Sequence, residues 1–212
     1  FGVLIKNDLL ELFEPQGILN IHPSLLPKYR GASPIESAIL NGDQNFSVSI
    51  MKLVKAMDAG PVYYQTTLNS NDFTTPLPEK SEIYAKLAIR AATWLVDHLT
   101  KLPTPVPQDD SKATYTYKFN TSMSPLDTKK KALELLNQIR AFQGFPKSKL
   151  QINQYECIIL KAHLATQAKQ DSRAKIKIIC GDDQELIIDR LQPVGRNPMD
   201  ALSFYNGYLK TK

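Results

Sequence analysis

The sequence predicts an α/β protein of two domains. In residues 17–102, short apolar runs typical of strands alternate with segments of helical periodicity, the pattern of an α/β layer structure. Residues 101–115, KLPTPVPQDDSKATY, hold three prolines and a polar cluster, which indicates a semi-rigid linker. The remainder combines one helix with several short strands, which fits a small β-barrel. We therefore expect domains at residues 1–100 and 116–212.

The first half contains three predicted strands and two predicted helices. The strands are expected at 17–22, 47–54 and 61–68. In the first helix, ASPIESAILNGD, Ser33 and Glu36 form a capping-box pattern with Pro34 in the first helical position. Gly42 provides the usual glycine end. Residues 79–102 have an amphipathic period and predict a longer helix that leads into the linker.

The second half has a different pattern of elements. A helix is predicted at about 128–142. Four strands are predicted after it, at 150–154, 155–165, 174–180 and 185–194. The residues GDDQ, between Cys180 and Glu185, predict a hairpin turn because glycine and aspartate tolerate unusual backbone angles.

Bulk composition excludes several classes of protein. The 212 residues are 42% hydrophobic and 22% charged, as in an ordinary globular protein, and no apolar run approaches the roughly 20 residues of a membrane span. The two cysteines, Cys157 and Cys180, form no CxxC motif, which argues against a disulfide framework or a zinc site and fits a reducing compartment. Because the chain opens with an apolar run at Phe1, we expect it to be a fragment of a longer protein.

Charge is distributed unevenly along the chain. Residues 1–111 carry 9 Lys and Arg against 12 Asp and Glu, a net charge of −3, whereas residues 112–212 carry 17 against 9, a net charge of +8. Such asymmetry favours a second half that contacts a polyanion. A basic surface that serves only solubility is the alternative, and charge alone does not separate the two.

The stretch LNIHPSLLPKYRG, residues 19–31, contains the first candidate site. Because alternate residues of a strand point to one face, Asn20 and His22 are expected to project together from the strand end, where ligands bind open α/β sheets. An amide is a fixed donor and an imidazole exchanges a proton near neutral pH, a pairing that suits negative charge developing on a carbonyl oxygen. Pro23 and Pro27 stiffen the following loop.

Asp58, in the loop KAMDAGPV, is the candidate for a carboxylate that orients the histidine. It lies beside Gly60 and Pro61 between two predicted strands. Each residue also has a purely structural alternative, since an aspartate near a glycine commonly stabilises a turn and a histidine can be a hydrogen-bonded core residue. Residue types and spacing leave both readings open.

Taken together, NIHPSLLPKYRGASPIESAILNGD and VSIMKLVKAMDAGPVYYQ closely resemble the folate-dependent formyltransferases. The resemblance implies a Rossmann-like domain and a catalytic set of Asn20, His22 and Asp58. It also implies a folate site lined by the turn residues Ser24, Leu25, Leu26 and Pro27. The opening strands of that family, with a basic loop that enters the tRNA acceptor end, have no counterpart here, which agrees with a fragment.

Later segments resemble the branch of this family that acts on methionyl-tRNA. These are ATYTYKF, IRAFQGFP and LQPVGRNPMDALSFYNGYL, and they imply an OB-like barrel as the second domain. The implied co-substrate is 10-formyltetrahydrofolate, the implied partner is methionyl initiator tRNA, and no metal or membrane is involved. We expect a monomer, in the bacterial cytoplasm or, for a eukaryotic source, the mitochondrial matrix. The family's F-x-P-W-P appears here as FQGFP, which retains an aromatic residue and Pro146.

Basic residues of the second half are candidates for contacts to the tRNA backbone, because each neutralised phosphate adds affinity. The candidates are Arg140, Lys147, Lys161 and Arg196, with Lys129, Lys130 and Lys131 as further possibilities. A solvated helix face explains the lysine triplet equally well. Arg140 and Lys147 are favoured because they flank the family-like AFQGFP segment.

Two other functions remain open from the sequence. The same catalytic set would serve a formyltransferase that acts on an amino sugar nucleotide. A chain without the family's opening strands could also be an inactive tRNA-binding fragment. In the favoured reading, the α-amine of methionyl-tRNA attacks the formyl carbon, Asn20 and protonated His22 stabilise the oxyanion, and Asp58 orients His22 and assists proton removal.

Overall fold

The structure, a computed structural model, describes residues 7–15, 17–165 and 175–210. The chain divides into two compact units, residues 1–118 and 119–212. Within the described ranges, every helix is too short or too polar to span a lipid bilayer.

The first unit combines a three-stranded sheet with three helices. Its elements are α1 (Asn7–Glu11), β1 (Leu19–His22), β2 (Arg30–Gly31), α2 (Pro34–Leu40), β3 (Phe46–Lys52), β4 (Val62–Leu68), α3 (Lys80–His98) and β5 (Tyr115–Thr116). The sheet has the order β1-β3-β4, and β2 pairs separately with β5 in parallel. The α/β content agrees with the sequence prediction.

The strand directions differ from those expected of a Rossmann-like sheet. Both pairings of the described sheet, β1 with β3 and β3 with β4, are antiparallel. Residues 53–61 join β3 to β4 and are too few for the crossover helix that parallel neighbours require. The predicted strand at 17–22 is present as β1 (Leu19–His22), and its Ile21 is 45% exposed.

The core of the first unit lies between β3 and α3. Six successive residues of β3, 46–51, are buried, so both faces of this central strand are covered. The helix α3 packs against it through Ile83, Leu87 and Ala91, which recur at four-residue spacing on one helix face. The helix ends at His98 and is shorter than the predicted 79–102.

The capping box predicted for α2 is wrong. Ser33 makes no side-chain hydrogen bond to the first turn, although Pro34 occupies the first helical position as expected. The Glu36 carboxylate instead lies 3.3 Å from Lys80 Nζ, and it accepts the Tyr84 hydroxyl at 3.4 Å. A tertiary pairing between α2 and α3 has therefore replaced the local cap.

The second unit packs one helix on a sheet. Its elements are α4 (Ala132–Ala141), β6 (Ser148–Ile152), β7 (Tyr155–Leu164), β8 (Lys177–Ile179), β9 (Glu185–Pro193), β10 (Met199–Asp200) and α5 (Ala201–Phe204). The sheet has the order β10-β9-β7-β6, with β8 also paired to β9, and α4 packs on β7 and β9. Within the described part of this unit, residues 119–165 and 175–210, the strand pairings do not close the sheet into a barrel.

The predicted hairpin turn GDDQ joins β8 to β9 and also fixes the start of α4. A Cβ at Gly181 would lie 1.8 Å from the Lys129 carbonyl oxygen, so only glycine allows this close approach. Asp182 Oδ1 accepts the Ala132 N–H at 3.1 Å and caps the helix. The helix consequently begins at residue 132, later than the predicted 128.

The segment predicted as a linker, residues 101–115, makes hydrogen bonds within the first unit. Val106 and Val62 exchange two backbone hydrogen bonds of 2.8 Å. The Arg30 N–H donates to the Thr114 carbonyl at 2.8 Å. The domain limits 1–100 and 116–212 themselves remain a prediction.

Candidate active site

The structure brings His22 and Asp58 together. His22 ends β1, and Asp58 lies in the loop between β3 and β4, 36 residues later in the sequence. His22 Nδ1 lies 3.6 Å from Asp58 Oδ2, and the two side chains are 5% and 15% exposed. This His22–Asp58 pair is an ion-pair contact slightly longer than a hydrogen bond.

The backbone of Tyr29 determines which nitrogen of His22 carries a proton. His22 Nε2 lies 2.9 Å from the Tyr29 carbonyl oxygen. Because a carbonyl only accepts, Nε2 is the donor in this hydrogen bond. The other ring nitrogen, Nδ1, faces Asp58.

Tyr29 is itself held by its side chain. Its hydroxyl donates to Asp43 Oδ2 at 2.9 Å and accepts from Asn41 Nδ2 at 2.9 Å. Burial raises the pKa of the Tyr29 phenol; the hydrogen bond from Asn41 opposes this rise and Asp43 adds to it. The phenol thus remains a neutral donor at physiological pH, and the backbone that orients His22 is anchored.

Asp58 has one oxygen engaged and one open. Its Oδ2 accepts the Gly31 N–H at 2.8 Å, a charge-assisted hydrogen bond worth about 1.5–3 kcal/mol. In the described part of the chain, Oδ1 accepts no hydrogen bond. The backbone of Asp58 is left-handed, with φ at 49°, which is uncommon for a non-glycine residue.

Asn20 lies two residues before His22 on β1, so strand alternation directs both side chains to one face. It is half-buried and pairs with Met51 across the sheet. Its side-chain amide makes no hydrogen bond to any residue that the structure describes. The amide is therefore available to donate to a ligand.

The turn after β1, Ser24–Pro27, is organised by two polar residues that the sequence analysis missed. Ser49 Oγ donates to the Ser24 carbonyl at 2.6 Å and accepts the Leu26 N–H at 3.1 Å. Gln65 Nε2 donates to the Leu26 carbonyl at 2.9 Å and to Ser49 Oγ at 2.8 Å. The only sequence signal was a serine within the apolar strand SVSIMKLV.

The predicted folate-lining residues differ in accessibility. Ser24 and Leu26 are buried, and Ser24 Oγ donates to the Lys28 carbonyl at 2.6 Å. Leu25 is 42% exposed and Pro27 is half-buried. Leu25 and Pro27 therefore form the accessible apolar surface of this turn.

The predicted tRNA contacts fall into two groups. Lys147, Lys161 and Arg196 are exposed. Arg140 is only 6% exposed, and its Nη1 donates to Asn137 Oδ1 at 2.9 Å inside the second unit. A buried guanidinium does not fit a contact to phosphate, so the structure argues against Arg140 in that role.

Possible metal ligands are not clustered. Residues 7–15, 17–165 and 175–210 contain no group of three or more His, Cys, Asp or Glu side chains able to hold a metal ion. Both cysteines, Cys157 and Cys180, are free and buried.

Two family models together match most of the chain. The model described as "Formyl transferase" matches residues 1–99, and that of "Formyl transferase, C-terminal domain" matches residues 118–209. Among curated proteins, the methionyl-tRNA formyltransferase of Borrelia duttonii is 31% identical over 220 residues. The match covers 98% of this chain and 70% of that relative.

Solved structures share the fold. The methionyl-tRNA formyltransferase of Clostridium thermocellum superposes with a TM-score of 0.69 at 19% identity, over 92% of this chain and 74% of that one. An N-formyltransferase from Helicobacter canadensis, in complex with folinic acid and dTDP-3-aminofucose, gives a TM-score of 0.62 at 20% identity, over 89% and 70%. By its identity to the curated relative and its two matching domains, the chain belongs to the methionyl-tRNA formyltransferase family.

Proposed function

We propose that this chain transfers the formyl group of 10-formyltetrahydrofolate to the α-amine of methionyl initiator tRNA. The observation that carries the proposal is the His22–Asp58 pair, with 3.6 Å between Nδ1 and Oδ2, beside the turn Ser24–Pro27. Both residues and the turn belong to the sequence motifs that resemble the folate-dependent formyltransferases. We infer that the enzyme acts as a monomer in the bacterial cytoplasm.

The His22–Asp58 pair handles the proton and the charge of the reaction. The amine attacks the formyl carbon, a C–N bond forms, and the carbonyl oxygen becomes an oxyanion. With Nε2 committed to Tyr29, a protonated His22 donates from Nδ1 to that oxygen. The open Oδ1 of Asp58 receives the proton of the attacking amine, and such general-base assistance is worth roughly 100- to 10,000-fold in rate.

Asn20 supplies the second donor. Its amide has no competing partner in the described residues and shares the strand face of His22. A pre-oriented donor of this kind is typically worth about 2.7–4 kcal/mol in the transition state. When the oxyanion collapses, the bond from the formyl carbon to the folate N10 breaks, and N10 takes up the proton that Asp58 received from the amine.

The turn Ser24–Pro27 is the proposed folate-binding element. Leu25 and Pro27 offer apolar surface, while the buried Ser49 and Gln65 fix the carbonyl groups of Ser24 and Leu26. A rigid turn costs little ordering entropy on binding. No metal is required by this chemistry.

The second unit is the proposed tRNA-binding module. It carries 15 Lys and Arg against 9 Asp and Glu. Lys147, Lys161 and Arg196 are exposed and available to phosphates. We further propose that the second unit has an OB-like fold. The support is the match of residues 118–209 to the C-terminal formyl transferase family.

A labelled-formyl assay tests the proposal. The full-length protein is given 10-formyltetrahydrofolate labelled at the formyl carbon, with methionyl initiator tRNA or a dTDP-amino sugar as the acceptor. Transfer to the tRNA, lost in Asn20→Ala and His22→Ala variants, is the expected result. If the protein binds tRNA but transfers formyl to neither acceptor, the proposal fails and the remaining alternative is an inactive tRNA-binding protein.

A sugar nucleotide is the second candidate acceptor. The observation in its favour is the structural match to the Helicobacter canadensis N-formyltransferase, whose complex holds dTDP-3-aminofucose. The basic second unit favours the tRNA, because a single sugar nucleotide needs far fewer cationic partners. Transfer to the dTDP-amino sugar but not to the tRNA would reverse this assignment.

A further inference from the structure

We propose that residues 106–116, of which 106–115 belong to the linker expected from the sequence, position the His22–Asp58 pair, with Gln108 and Thr114 as the two points of contact. Both residues act through the backbone of the neighbouring loops and touch neither reacting atom. This inference rests on the proposed function, since it assigns positioning residues to the same site.

On the Asp58 side, the contact is made by the Gln108 amide. Gln108 Nε2 donates to the Asp58 carbonyl at 2.8 Å and to the Gly60 carbonyl at 2.7 Å. Both protons of one amide are thus used on the loop that carries the carboxylate. Asp58 has φ at 49°, and such conformations cost of order 1–3 kcal/mol and persist only where surrounding contacts enforce them. Gln108 supplies that enforcement.

The orientation of the Gln108 amide is fixed by a buried arginine. Arg30 is 2% exposed, and its Nε and Nη2 donate to Gln108 Oε1 at 3.1 and 2.8 Å. Arginine only donates and backbone carbonyls only accept, so a flipped amide would lose all of these hydrogen bonds. Asp110 Oδ1 accepts from Arg30 Nη2 at 2.6 Å and completes the arrangement.

On the His22 side, the contact is made by Thr114. Its Oγ1 accepts the Tyr29 N–H at 2.8 Å, and its carbonyl accepts the Arg30 N–H at 2.8 Å. Tyr29 has φ at 59°, and its carbonyl is the group that receives His22 Nε2. Thr114 therefore holds the peptide that orients the imidazole.

The segment is anchored at both ends. At one end Val106 pairs with Val62, the first residue of β4 after the Asp58 loop. At the other end β5 pairs in parallel with β2, where Arg30 is opposite Tyr115 and Gly31 is opposite Thr116. One continuous stretch thus fixes the two loops that supply the catalytic pair, although those loops are far apart in sequence.

Substitution of Gln108 in the full-length protein tests the first contact. Gln108→Leu removes both the donor and the acceptor, whereas Gln108→Glu keeps an acceptor for Arg30 and loses the donor. We expect both variants to lower kcat by roughly 10- to 100-fold, since a displacement of about 1 Å can cost that much, with KM for each substrate within about 3-fold of wild type. The matched control is Gln44→Leu, an exposed glutamine whose amide donates to the Gly42 carbonyl.

Substitution of Thr114 tests the second contact and remains informative if Gln108→Leu does not fold. Thr114→Val removes the acceptor for the Tyr29 N–H, and Thr114→Ser restores it. We expect the valine variant to lower kcat and to change the pH profile of kcat/KM, and the serine variant to recover both.

Failure of this inference is distinguishable from failure of the proposed function. Absence of formyl transfer by the wild-type protein would remove the proposed function and this inference with it. Wild-type activity with unchanged kcat in Gln108→Glu and Thr114→Val, even with a lower melting temperature, would reduce the segment to a structural brace and overturn the inference.

Discussion

At the scale of single residues, the candidate site depends on a loop that allows very little change in its backbone. Asp58 is left-handed, and two residues later Gly60 packs directly on the end of β3. The Asp58 carboxylate contacts His22 only if the loop backbone keeps this conformation. Small substitutions near Asp58 should therefore affect activity even where they leave the side chains of His22 and Asp58 intact.

Gly60→Ala tests this dependence. A Cβ at Gly60 would lie 1.8 Å from the Lys52 carbonyl oxygen, so the loop must shift. We expect a loss of about 1–3 kcal/mol in the free energy of unfolding and a fall in formyl transfer. Urea unfolding and kcat measure the two effects. In the control Gly207→Ala, where nothing lies within 4 Å of the added Cβ, both should stay near wild type; equal behaviour of the two variants would refute the argument.

Cys157 predicts a dependence of stability on alkaline pH. Burial raises the pKa of its thiol to about 11, and neighbouring Glu156 adds to the rise. An unfolded thiol ionises at about 8.5, so ionisation favours the unfolded chain. The contribution of the protonated Cys157 thiol to the free energy of unfolding is fully present below about pH 8.5 and is lost as the pH rises through about 11. Urea unfolding between about pH 8 and 11 should show a shallower decline for Cys157→Ala than for wild type, and equal slopes would contradict the prediction.

The resemblance to the folate-dependent formyltransferases was needed to predict that His22 and Asp58 act together, because residue types and spacing alone left a structural role open for each. Ser49 and Gln65 were not predicted, because a buried hydroxyl that bridges a turn has no local pattern. The role expected for Arg140 had the opposite fault. Its charge and its place beside AFQGFP indicated a surface contact, but it lies in the second half of α4, where residues 135–141 are all buried.

At the scale of elements, α3 is attached to β4 by a stack of three rings. The Trp94 ring lies parallel to Tyr64 at 5.0 Å between centroids and to His98 at 4.5 Å. His98 Nδ1 also donates to the Trp94 carbonyl at 2.9 Å. The stack extends the contact of α3 beyond its buried residues Ile83 and Leu87.

Trp94→Ala should therefore destabilise the first unit. Buried Trp→Ala changes cost about 3–5 kcal/mol, and Trp94 is half-buried, so we expect about 2–3 kcal/mol. Urea unfolding followed by circular dichroism measures the loss. The control Val96→Ala lies on the same helix at an 81% exposed position and should change stability by less than about 0.5 kcal/mol. A Trp94→Ala effect as small as that of Val96→Ala would exclude the stack as a stabilising contact.

Helix ends show why element boundaries were harder to predict than element types. Every predicted strand and helix that lies in the described residues is present. The start of α4, however, is set by Asp182, 50 residues away in sequence, and Glu36 pairs with α3 instead of capping α2. Tertiary partners of this kind override the local signals on which boundary prediction depends.

At the scale of the whole molecule, the uneven charge of the chain is the feature most directly tied to a nucleic-acid substrate. Counterion release makes affinity for a polyanion fall linearly with the logarithm of salt concentration, with a slope near −0.9 per neutralised phosphate on duplex nucleic acid. The exposed cations of the second unit therefore predict a measurable salt dependence.

Replacement of Lys147, Lys161 and Arg196 by alanine should make this slope, of the logarithm of the binding constant against the logarithm of salt concentration, less negative by about 2 to 3. Equilibrium binding of methionyl initiator tRNA over a salt series measures it, and folate binding should not change. The control is the Lys149→Ala, Lys177→Ala double variant, whose lysines already pair with Glu156 and Glu185 at 3.0 Å and should have a smaller effect per charge. A slope unchanged from wild type would remove the three cations from the interface.

The overall architecture was predictable only at a coarse level. Composition and periodicity predicted an α/β first unit followed by a second unit of one helix and several short strands. The loop between β3 and β4 was predicted, but the antiparallel direction of the strands was not, because the implied Rossmann-like sheet is parallel and nine connecting residues are too few for a crossover helix. The barrel expected for the second unit depends on closure between distant strands, which local patterns do not specify.

The most direct test of the account is a double-mutant cycle on the His22–Asp58 pair. Formyl transfer to methionyl initiator tRNA is measured as kcat/KM for the full-length wild-type protein, His22→Ala, Asp58→Asn and the double variant. If the two residues act as one unit, each single variant loses roughly 100- to 10,000-fold and the double variant loses no more than the worse single. Losses that multiply in the double variant, or single variants as active as wild type, would contradict the account.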